Sequence, residues 1–175
     1  MVYKLDFDKI RQLFGGKLTQ SQVGGINGIV DTFNQYGDGQ KDHLAYILAT
    51  AKHETWNTMQ PIAEVGHGKG HVYGVPDETG KAPYGRGYVQ LTFRVNYVKL
   101  DNYLKLGGAL AGNYDLAMQP DIAARILVEG MILGLFSGVR LSQFKTFYSM
   151  RKVVNGTDKA QLIANYANQF LGAIQ

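Results

Sequence analysis

Apolar residues recur at helical spacing over most of this chain, which predicts a mainly helical protein. A short first helix is expected to end at the glycine pair 15–16. Thr19, followed three residues later by Gln22, forms a capping-box pattern and predicts the start of a second helix. The three glycines in that helix predict a close approach by a neighbouring helix. Asp42 is expected to cap a third helix, which runs to about Thr55.

The helical periodicity fails between Trp56 and Pro83, where glycines, prolines and single charges predict a long irregular segment. Such a segment inside a compact domain is usually functional. Residues 88–92 are expected to form a short strand in a small hairpin. The helix after Pro120 is apolar on more than one face and is expected to be buried and central. Other helices are predicted over 95–106, about 142–153 and about 158–172.

Together these elements predict a mainly α, lysozyme-like domain of two lobes, with a small β-hairpin or irregular insertion near the cleft. The length of 175 residues fits one catalytic domain, 1–175. A hydrophobic content of 45% is enough to fill its core.

Composition narrows the function classes. The chain has no cysteine, which excludes disulfides and thiolate metal sites. No apolar run is long enough to span a bilayer, and the first residues lack the layout of a secretory signal peptide. The net charge of +4 favours polyanionic partners such as the bacterial cell wall. The basic residues are scattered, which argues against nucleic acid as the partner.

Two of the four glutamates in the chain, Glu54 and Glu64, flank one short segment ahead of the glycine- and aromatic-rich stretch 84–92. Acid-catalysed hydrolysis of a sugar–sugar bond needs two carboxylates in different environments, one protonated and one ionised. Trp56 and Tyr84 are expected to lower the polarity around Glu54, as suits a proton donor. Glu64 is expected to lie in a wetter setting, as suits a group that activates water.

Five segments match known motif patterns. Residues 48–55 (LATAKHET) resemble AHxxHET, residues 61–64 (PIAE) resemble PxxE, and residues 83–97 (PYGRGYVQLTFRVNY) resemble YYGRGxxQLTxxxNY. Residues 113–124 resemble NPDLA…PDIAA, and residues 151–156 resemble RRxVNGG. These motifs identify a resemblance to family 19 glycoside hydrolases, the chitinase-like group that includes many phage endolysins.

The resemblance implies a role for each matched position. Glu54 is the implied general acid, Glu64 the implied general base, and Thr92 the residue that helps to hold the attacking water. Enzymes of this family invert the anomeric carbon, and inverting enzymes place the two carboxyl groups roughly 6.5–9.5 Å apart. Arg86 is expected either to bond loop carbonyls or to bond a catalytic carboxylate. The implied substrate-binding residues are His53, Tyr84, Arg86, Tyr88, Gln90, Asn96 and Asn155, with the two tyrosines stacking on sugar faces.

Three positions depart from the family pattern. Lys152 and Thr157 replace the second arginine and the second glycine of RRxVNGG, which changes only fine details of the cleft. Plant chitinases have a longer insertion between the two glutamates, so the assignment of Glu64 follows the phage-type spacing. Glu78 competes for the base role, but it lies only six residues before Tyr84.

The resemblance implies a phage endolysin that cuts β-1,4 bonds of peptidoglycan. Such an enzyme is expected to be a monomer without metal or cofactor, and without stable membrane insertion. It is expected to gather in the host cytoplasm and to reach the wall after release. A chitinase that acts on N-acetylglucosamine polymers is the nearest alternative.

Two other classes stay open. His67 and His71, together with His53 or Glu54, are candidate zinc ligands for an amidase or peptidase. The HExxH pattern is missing, because Asn57 occupies the place of its second histidine. A non-catalytic wall-binding module is the other alternative, although it has no need of two acidic groups.

Overall fold

The computed structural model describes residues 2–175, and helices dominate that part of the chain. A pair of two-residue strands, β1 (Ile62–Ala63) and β2 (Arg86–Gly87), forms an antiparallel sheet. The helices are α1 (Phe7–Ile10), α2 (Gln20–Tyr36), α3 (Lys41–Glu54), α4 (Arg94–Leu104), α5 (Ala109–Gly112), α6 (Pro120–Leu133), α7 (Phe147–Met150) and α8 (Ala160–Ala173). The predicted mainly α class with a small β insertion is confirmed.

The start of α2 is fixed by the predicted capping box. The Thr19 hydroxyl accepts a hydrogen bond from the Gln22 backbone N–H at 3.1 Å. The Gln22 side-chain oxygen accepts one from the Thr19 N–H at 2.8 Å. These two bonds satisfy two N–H groups that no helical carbonyl can reach.

The core consists of two clusters of buried side chains. The larger cluster surrounds α3, in which every residue from His43 to Lys52 is buried. The smaller one lies under α4 and α5. Helix α6 joins the two, since Leu127 belongs to the larger cluster and Ile126 to the smaller one. The prediction that this helix is buried and central is therefore confirmed, although α3 is even more completely enclosed.

Helix α3 positions the candidate site. It packs chiefly against α8, and α2 packs against α6. Because α3 is buried along its length, its last residue, Glu54, is held firmly where the irregular segment begins. Among residues 2–175, none of the helices has both the length and the apolar character needed to cross a bilayer.

The structure corrects the predicted strand at 88–92. The strand residues are Arg86 and Gly87, which pair with Ala63 and Ile62. Beyond them the chain turns back, because Gly87 and Gln90 adopt left-handed backbone conformations, and an extended strand does not contain these.

Two helix predictions also need correction. Asp42 does not cap α3, because Gln40 occupies the cap position without a side-chain bond and Asp42 lies in the first helical turn. A carboxylate there still interacts favourably with the helix dipole. The predicted helix at 142–153 is broken, since Thr146 is extended and starts α7 by accepting a bond from the Ser149 N–H. Single 3-10 turns lie on either side of α7, at Leu141–Gln143 and Arg151–Val153.

The glycines of α2 do not receive a neighbouring helix, as had been predicted. A Cβ at Gly25 would lie 1.7 Å from the carbonyl oxygen of Met59, in the irregular segment. A Cβ at Gly24 or Gly28 would meet no atom within 4 Å. Only Gly25 is therefore required by packing, and it lets the segment that leads to Glu64 lie against α2.

This contrast predicts opposite effects of two alanine substitutions in one helix. Gly25→Ala should lower the free energy of unfolding by about 1–3 kcal/mol, because the backbone of Met59 must move away. Gly28→Ala should raise it by about 0.5–1 kcal/mol, because alanine loses less conformational entropy in a helix. Denaturant unfolding of both variants measures this, and equal effects of the same sign would contradict the packing described.

Candidate active site

Both predicted catalytic glutamates face one cleft. The cleft has a volume of about 260 Å³ and is lined by Glu54, Trp56, Ile62, Ala63, Glu64, Val65 and Gln90. The end of α3 supplies the first side of this cleft. Strand β1 and the residue after it supply the second. The fold thus brings together two carboxylates from elements whose local structures are unrelated.

Glu54 is held by a buried arginine. Its Oε1 accepts a hydrogen bond of 2.7 Å from Nη1 of Arg151. The Arg151 side chain is 1% exposed, and that of Glu54 is 18% exposed. The guanidinium is fixed in turn by its Nε, which donates to the carbonyl of Asp158 at 2.8 Å. The environment expected for Glu54 was apolar, but its closest charged partner is a cation.

Glu64 is held by different groups. Its backbone N–H bonds the Gly85 carbonyl at 2.8 Å, which extends the pairing of β1 with β2 by one residue. Its Oε2 accepts from the Gly85 N–H at 3.1 Å, and its Oε1 accepts from the Tyr73 hydroxyl at 3.3 Å. Desolvation and the neighbouring Glu64 carboxylate raise the pKa of Tyr73, so the hydroxyl keeps its proton and donates. Glu64 therefore meets only neutral donors.

Gly85 also lies beside Gln90 and Thr92. A Cβ at Gly85 would lie 2.9 Å from Oε1 of Gln90 and 3.3 Å from Oγ1 of Thr92, so a larger residue would require both side chains to shift. The Thr92 hydroxyl donates to the Gln90 carbonyl at 2.7 Å, which leaves its oxygen able to accept from a water. The Gln90 amide nitrogen bonds the Ile62 carbonyl at 3.2 Å, across the floor of the cleft.

Trp56 occupies an unusual backbone position at the end of α3. The Asn57 N–H bonds the Lys52 carbonyl at 2.9 Å and the Trp56 N–H bonds the His53 carbonyl at 3.3 Å, which together form a Schellman cap. The left-handed position in this cap is normally glycine, but here it is Trp56, with φ of 49°. A side chain in this conformation costs about 1–2 kcal/mol.

Three other predicted substrate-binding residues, Tyr84, Asn96 and Asn155, are not among the residues that line the cleft. Tyr84 stacks on His67 with ring centroids 4.6 Å apart, and its other contact is the Arg86 guanidinium, 3.5 Å from the ring centroid. Asn96 donates from its amide to the Thr92 carbonyl at 2.7 Å. Asn155 is exposed and follows the turn that carries Arg151.

The structure decides between the two alternatives for Arg86, which were bonds to loop carbonyls and a bond to a catalytic carboxylate. Its Nη1 donates to the carbonyls of Ala82 and Tyr84 at 3.0 Å, and its Nε donates to Asp115 at 2.9 Å. Arg86 is therefore a buried organiser of its loop, and its carboxylate partner is neither Glu54 nor Glu64.

The expectation that Tyr88 stacks on a sugar needs correction. Tyr88 is 2% exposed, and its hydroxyl donates to the Met59 carbonyl at 3.3 Å. Burial raises the pKa of this hydroxyl to about 12. Its ring packs in the larger core cluster, because the turn after β2 directs it inwards.

Glu78 and Asp38, two other acidic groups, lack the same arrangement. Glu78, the competing base candidate, forms an ion pair with Arg94 at 2.8 Å and does not line the cleft. A larger cavity of about 370 Å³ contains Asp38 and Asp42. Burial acts to raise the pKa of Asp38, but the hydrogen bonds from His43 and Gln40 outweigh it and lower the pKa. Asp38 is thus unsuited to donate a proton.

The zinc alternative requires several ligand side chains that converge on one metal ion. His67 is stacked on Tyr84 and His71 on Tyr73, at a centroid distance of 4.9 Å. Within residues 2–175, no group of three or more histidine, aspartate or glutamate side chains is arranged to hold a metal ion. The described residues therefore give no support to a zinc amidase or peptidase.

Comparison with known proteins identifies the fold. No protein-family model and no curated protein matches the chain. Chitinase C from Streptomyces griseus HUT6037 matches with a TM-score of 0.67 at 21% identity, over 97% of this chain and 77% of that chain. The chain has the fold of family 19 chitinases.

Two further solved structures with this fold agree. A mutant of chitinase C matches with a TM-score of 0.65 at 24% identity, over 97% of this chain and 93% of that chain. A bacterial family 19 chitinase matches with a TM-score of 0.55 at 17% identity, over 97% and 95% of the two chains. The fold implied by the sequence motifs is therefore confirmed.

Three residues that hold the two carboxylates had no predicted role. Arg151 lies within the segment that resembles RRxVNGG, so its motif pointed to it without giving a function. Gly85 lies within the Tyr-Gly-Arg-Gly motif, which likewise gave it no contact. Tyr73 lies in the irregular segment, where no pattern distinguishes it from its neighbours.

The setting of His53 predicts how stability depends on pH. Burial, reinforced by Arg151 and opposed by Glu54, lowers the pKa of His53 below its usual 6.5. His53 therefore binds a proton more readily in the unfolded chain than in the folded one. As a result, the free energy of unfolding decreases as the pH falls below 6.5. His53→Gln should reduce this loss between pH 6.5 and about 5, before most carboxylates titrate.

Denaturant unfolding over a pH series tests this prediction. The two proteins should show parallel curves above about pH 7, where the histidine is neutral in both states. An undiminished loss of stability in the His53→Gln protein below pH 6.5 would contradict it.

Proposed function

We propose that this protein is a glycoside hydrolase that cleaves β-1,4 bonds of bacterial peptidoglycan by inversion. The observation that carries the proposal is the cleft that contains both Glu54 and Glu64. The two carboxylates have different partners, a buried guanidinium and a pair of neutral donors. Different settings are what a general acid and a general base require.

In the proposed reaction, Glu54 gives its proton to the glycosidic oxygen as the bond to the anomeric carbon breaks. A water attacks that carbon from the opposite face, and Glu64 takes a proton from it. Thr92 accepts a hydrogen bond from this water and helps to orient it. Exchange with solvent then restores both protonation states.

Arg151 has a defined part in this scheme. When Glu54 loses its proton, a negative charge develops on its carboxylate. The Arg151 guanidinium already lies 2.7 Å from that group in a water-poor setting. Donors that are in place before the charge appears stabilise it without reorganisation. Arg151 thus favours proton transfer to the leaving group.

The polar groups around the cleft suit an N-acetylated glycan. Gln90 lines the cleft, and we propose that His53, Tyr84, Asn96 and Asn155 bind the glycan beyond the lining residues. Amide side chains can both donate to and accept from acetamido and hydroxyl groups. The net charge of +4 favours encounter with an anionic wall.

We infer that the biological role is that of a phage endolysin, which acts as a monomer on the wall after release from the host cytoplasm. The support is the segment at 61–64 and the ten-residue spacing of Glu64 from Glu54, both of which resemble the phage branch of the family. A chitinase is the second candidate, because the solved structures that share this fold are chitinases.

Substitution of single glutamates tests the catalytic assignment. Glu54→Gln and Glu64→Gln should each lower kcat by about 10²–10⁴-fold, because the amide can neither give nor take the proton. Glu78→Gln is the matched control and should change kcat by less than about twofold, since it alters only an exposed ion pair. Thr92→Ala should have a smaller effect, about tenfold, because it removes one hydrogen bond.

Release of reducing sugar from purified peptidoglycan measures these effects. The assays are run well below the unfolding midpoint of each variant, because the Glu54→Gln protein leaves Arg151 without a charged partner. Wild-type turnover by either cleft variant would overturn its assignment.

The choice between the two substrates is tested on the fragments released. The wild-type protein should release fragments faster from peptidoglycan than from chitin, and mass spectrometry of the new reducing end names the bond that was cut. Release from chitin alone would replace the endolysin proposal with the chitinase one.

A further inference from the structure

Trp56 is the only tryptophan in the chain, and its side chain is largely in solvent. It is 67% exposed and lines the cleft together with Glu54 and Glu64. Burial of apolar area therefore explains little of its presence. A large aromatic side chain left exposed beside two carboxylates requires another reason.

The backbone also argues against a purely structural role. Trp56 takes the left-handed position of the cap that ends α3, where glycine is favoured because it has no Cβ. Stability would thus be served better by glycine. Strained residues that packing does not justify concentrate at functional sites.

Strained backbone is concentrated in the part of the chain that contains Trp56. In residues 2–175, eight residues other than glycine have positive φ, and six of them lie between positions 56 and 93. These six are Trp56, Asn57, Met59, His67, Gln90 and Phe93. The strained backbone therefore coincides with the segments around the two carboxylates.

The cap holds Trp56 in a fixed place. The Asn57 N–H bonds the Lys52 carbonyl at 2.9 Å, and the Asn57 carbonyl accepts from the Gln22 side chain at 2.8 Å. The turn is thus tied to α2 as well as to α3. Because the backbone is already fixed, only the two side-chain torsions of Trp56 remain to be ordered when a ligand binds.

From these observations we infer that Trp56 is a sugar-binding platform, on which one N-acetylated pyranose ring of the substrate stacks next to Glu54. The apolar C–H face of a β-linked pyranose matches the flat indole, which gives a large contact area with few rotatable bonds. The inference rests on the proposed function and adds to it a binding position that the motif segments do not assign.

A membrane or protein surface is a poorer match for this side chain. Docking of that kind needs a continuous apolar patch. The apolar residues Ile62, Ala63 and Val65 share the cleft with Trp56, but two carboxylates and the Gln90 amide interrupt the apolar surface. This mixture of apolar and hydrogen-bonding groups suits a sugar, which has apolar faces and polar edges.

The test compares Trp56→Gly with its parent for two properties at once. Binding of the β-1,4-linked tetramer of N-acetylglucosamine is measured by calorimetry in a Glu54→Gln background, so that no turnover occurs. Trp56→Gly should weaken binding at least about tenfold. The same substitution should raise the Tm by about 2–4 °C, because glycine relieves the left-handed strain. Trp56→Phe should retain most of the binding, because it keeps a flat ring.

Lys105→Gly is the matched control. Lys105 is exposed, ends α4 in the same left-handed conformation with φ of 56°, and does not line the cleft. The Lys105→Gly substitution should raise the Tm in the same way and leave tetramer binding unchanged. In the Glu54→Gln protein, which retains Trp56, emission from the single tryptophan should shift when the tetramer is added.

Each contrary result overturns the inference. Unchanged tetramer binding by Trp56→Gly would show that Trp56 is not a sugar-binding platform. A lower Tm would show that Trp56 is present because its packing stabilises the fold. Equal weakening by Lys105→Gly would show that the effect does not come from the cleft. If wild-type protein cleaves glycan while Trp56→Gly binds normally, only this inference fails. If Glu54→Gln and Glu64→Gln keep their hydrolytic activity, the proposed function fails instead.

Discussion

The ion pair between Arg151 and Glu54 joins two segments that lie 97 residues apart, and the cleft depends on it. The arginine is 1% exposed, so it needs a partner inside the protein. Removal of one member of a buried pair typically costs about 3–5 kcal/mol. The pair thus does two things: it ties the turn after α7 to the end of α3, and it fixes the proposed proton donor in one orientation.

The opposite wall of the cleft is built from backbone rather than from charge. Two residues of β1 and two of β2 pair, and the next pair, Glu64 with Gly85, extends this register. The Gly85 N–H and the Tyr73 hydroxyl then occupy both carboxylate oxygens of Glu64. One carboxylate therefore faces a cation and the other faces neutral donors, a difference that follows from the elements on which they lie.

Local patterns predicted the local features of the fold. The Thr19–Gln22 cap, the long helices and the irregular segment are set by residues close together in sequence, so spacing alone revealed them. The predicted helix at 142–153 failed because Thr146 adopts an extended conformation, which apolar spacing does not show. The two-residue strands were misplaced because their pairing depends on a partner about 24 residues away. Arg151 had no predicted role because a long-range ion pair leaves no periodic signal. Tyr88 was assigned to the substrate because its motif does not show which way the turn after β2 directs the ring.

The stereochemistry of the first product tests the central claim most directly. If Glu54 protonates the leaving oxygen while Glu64 directs a water to the opposite face, the β-linkage must yield the α-anomer at the new reducing end. Proton NMR during the first minutes of hydrolysis, before the anomers equilibrate, reports this configuration. The account predicts the α-anomer. Initial formation of the β-anomer would show that no water enters between the two carboxylates and would contradict it.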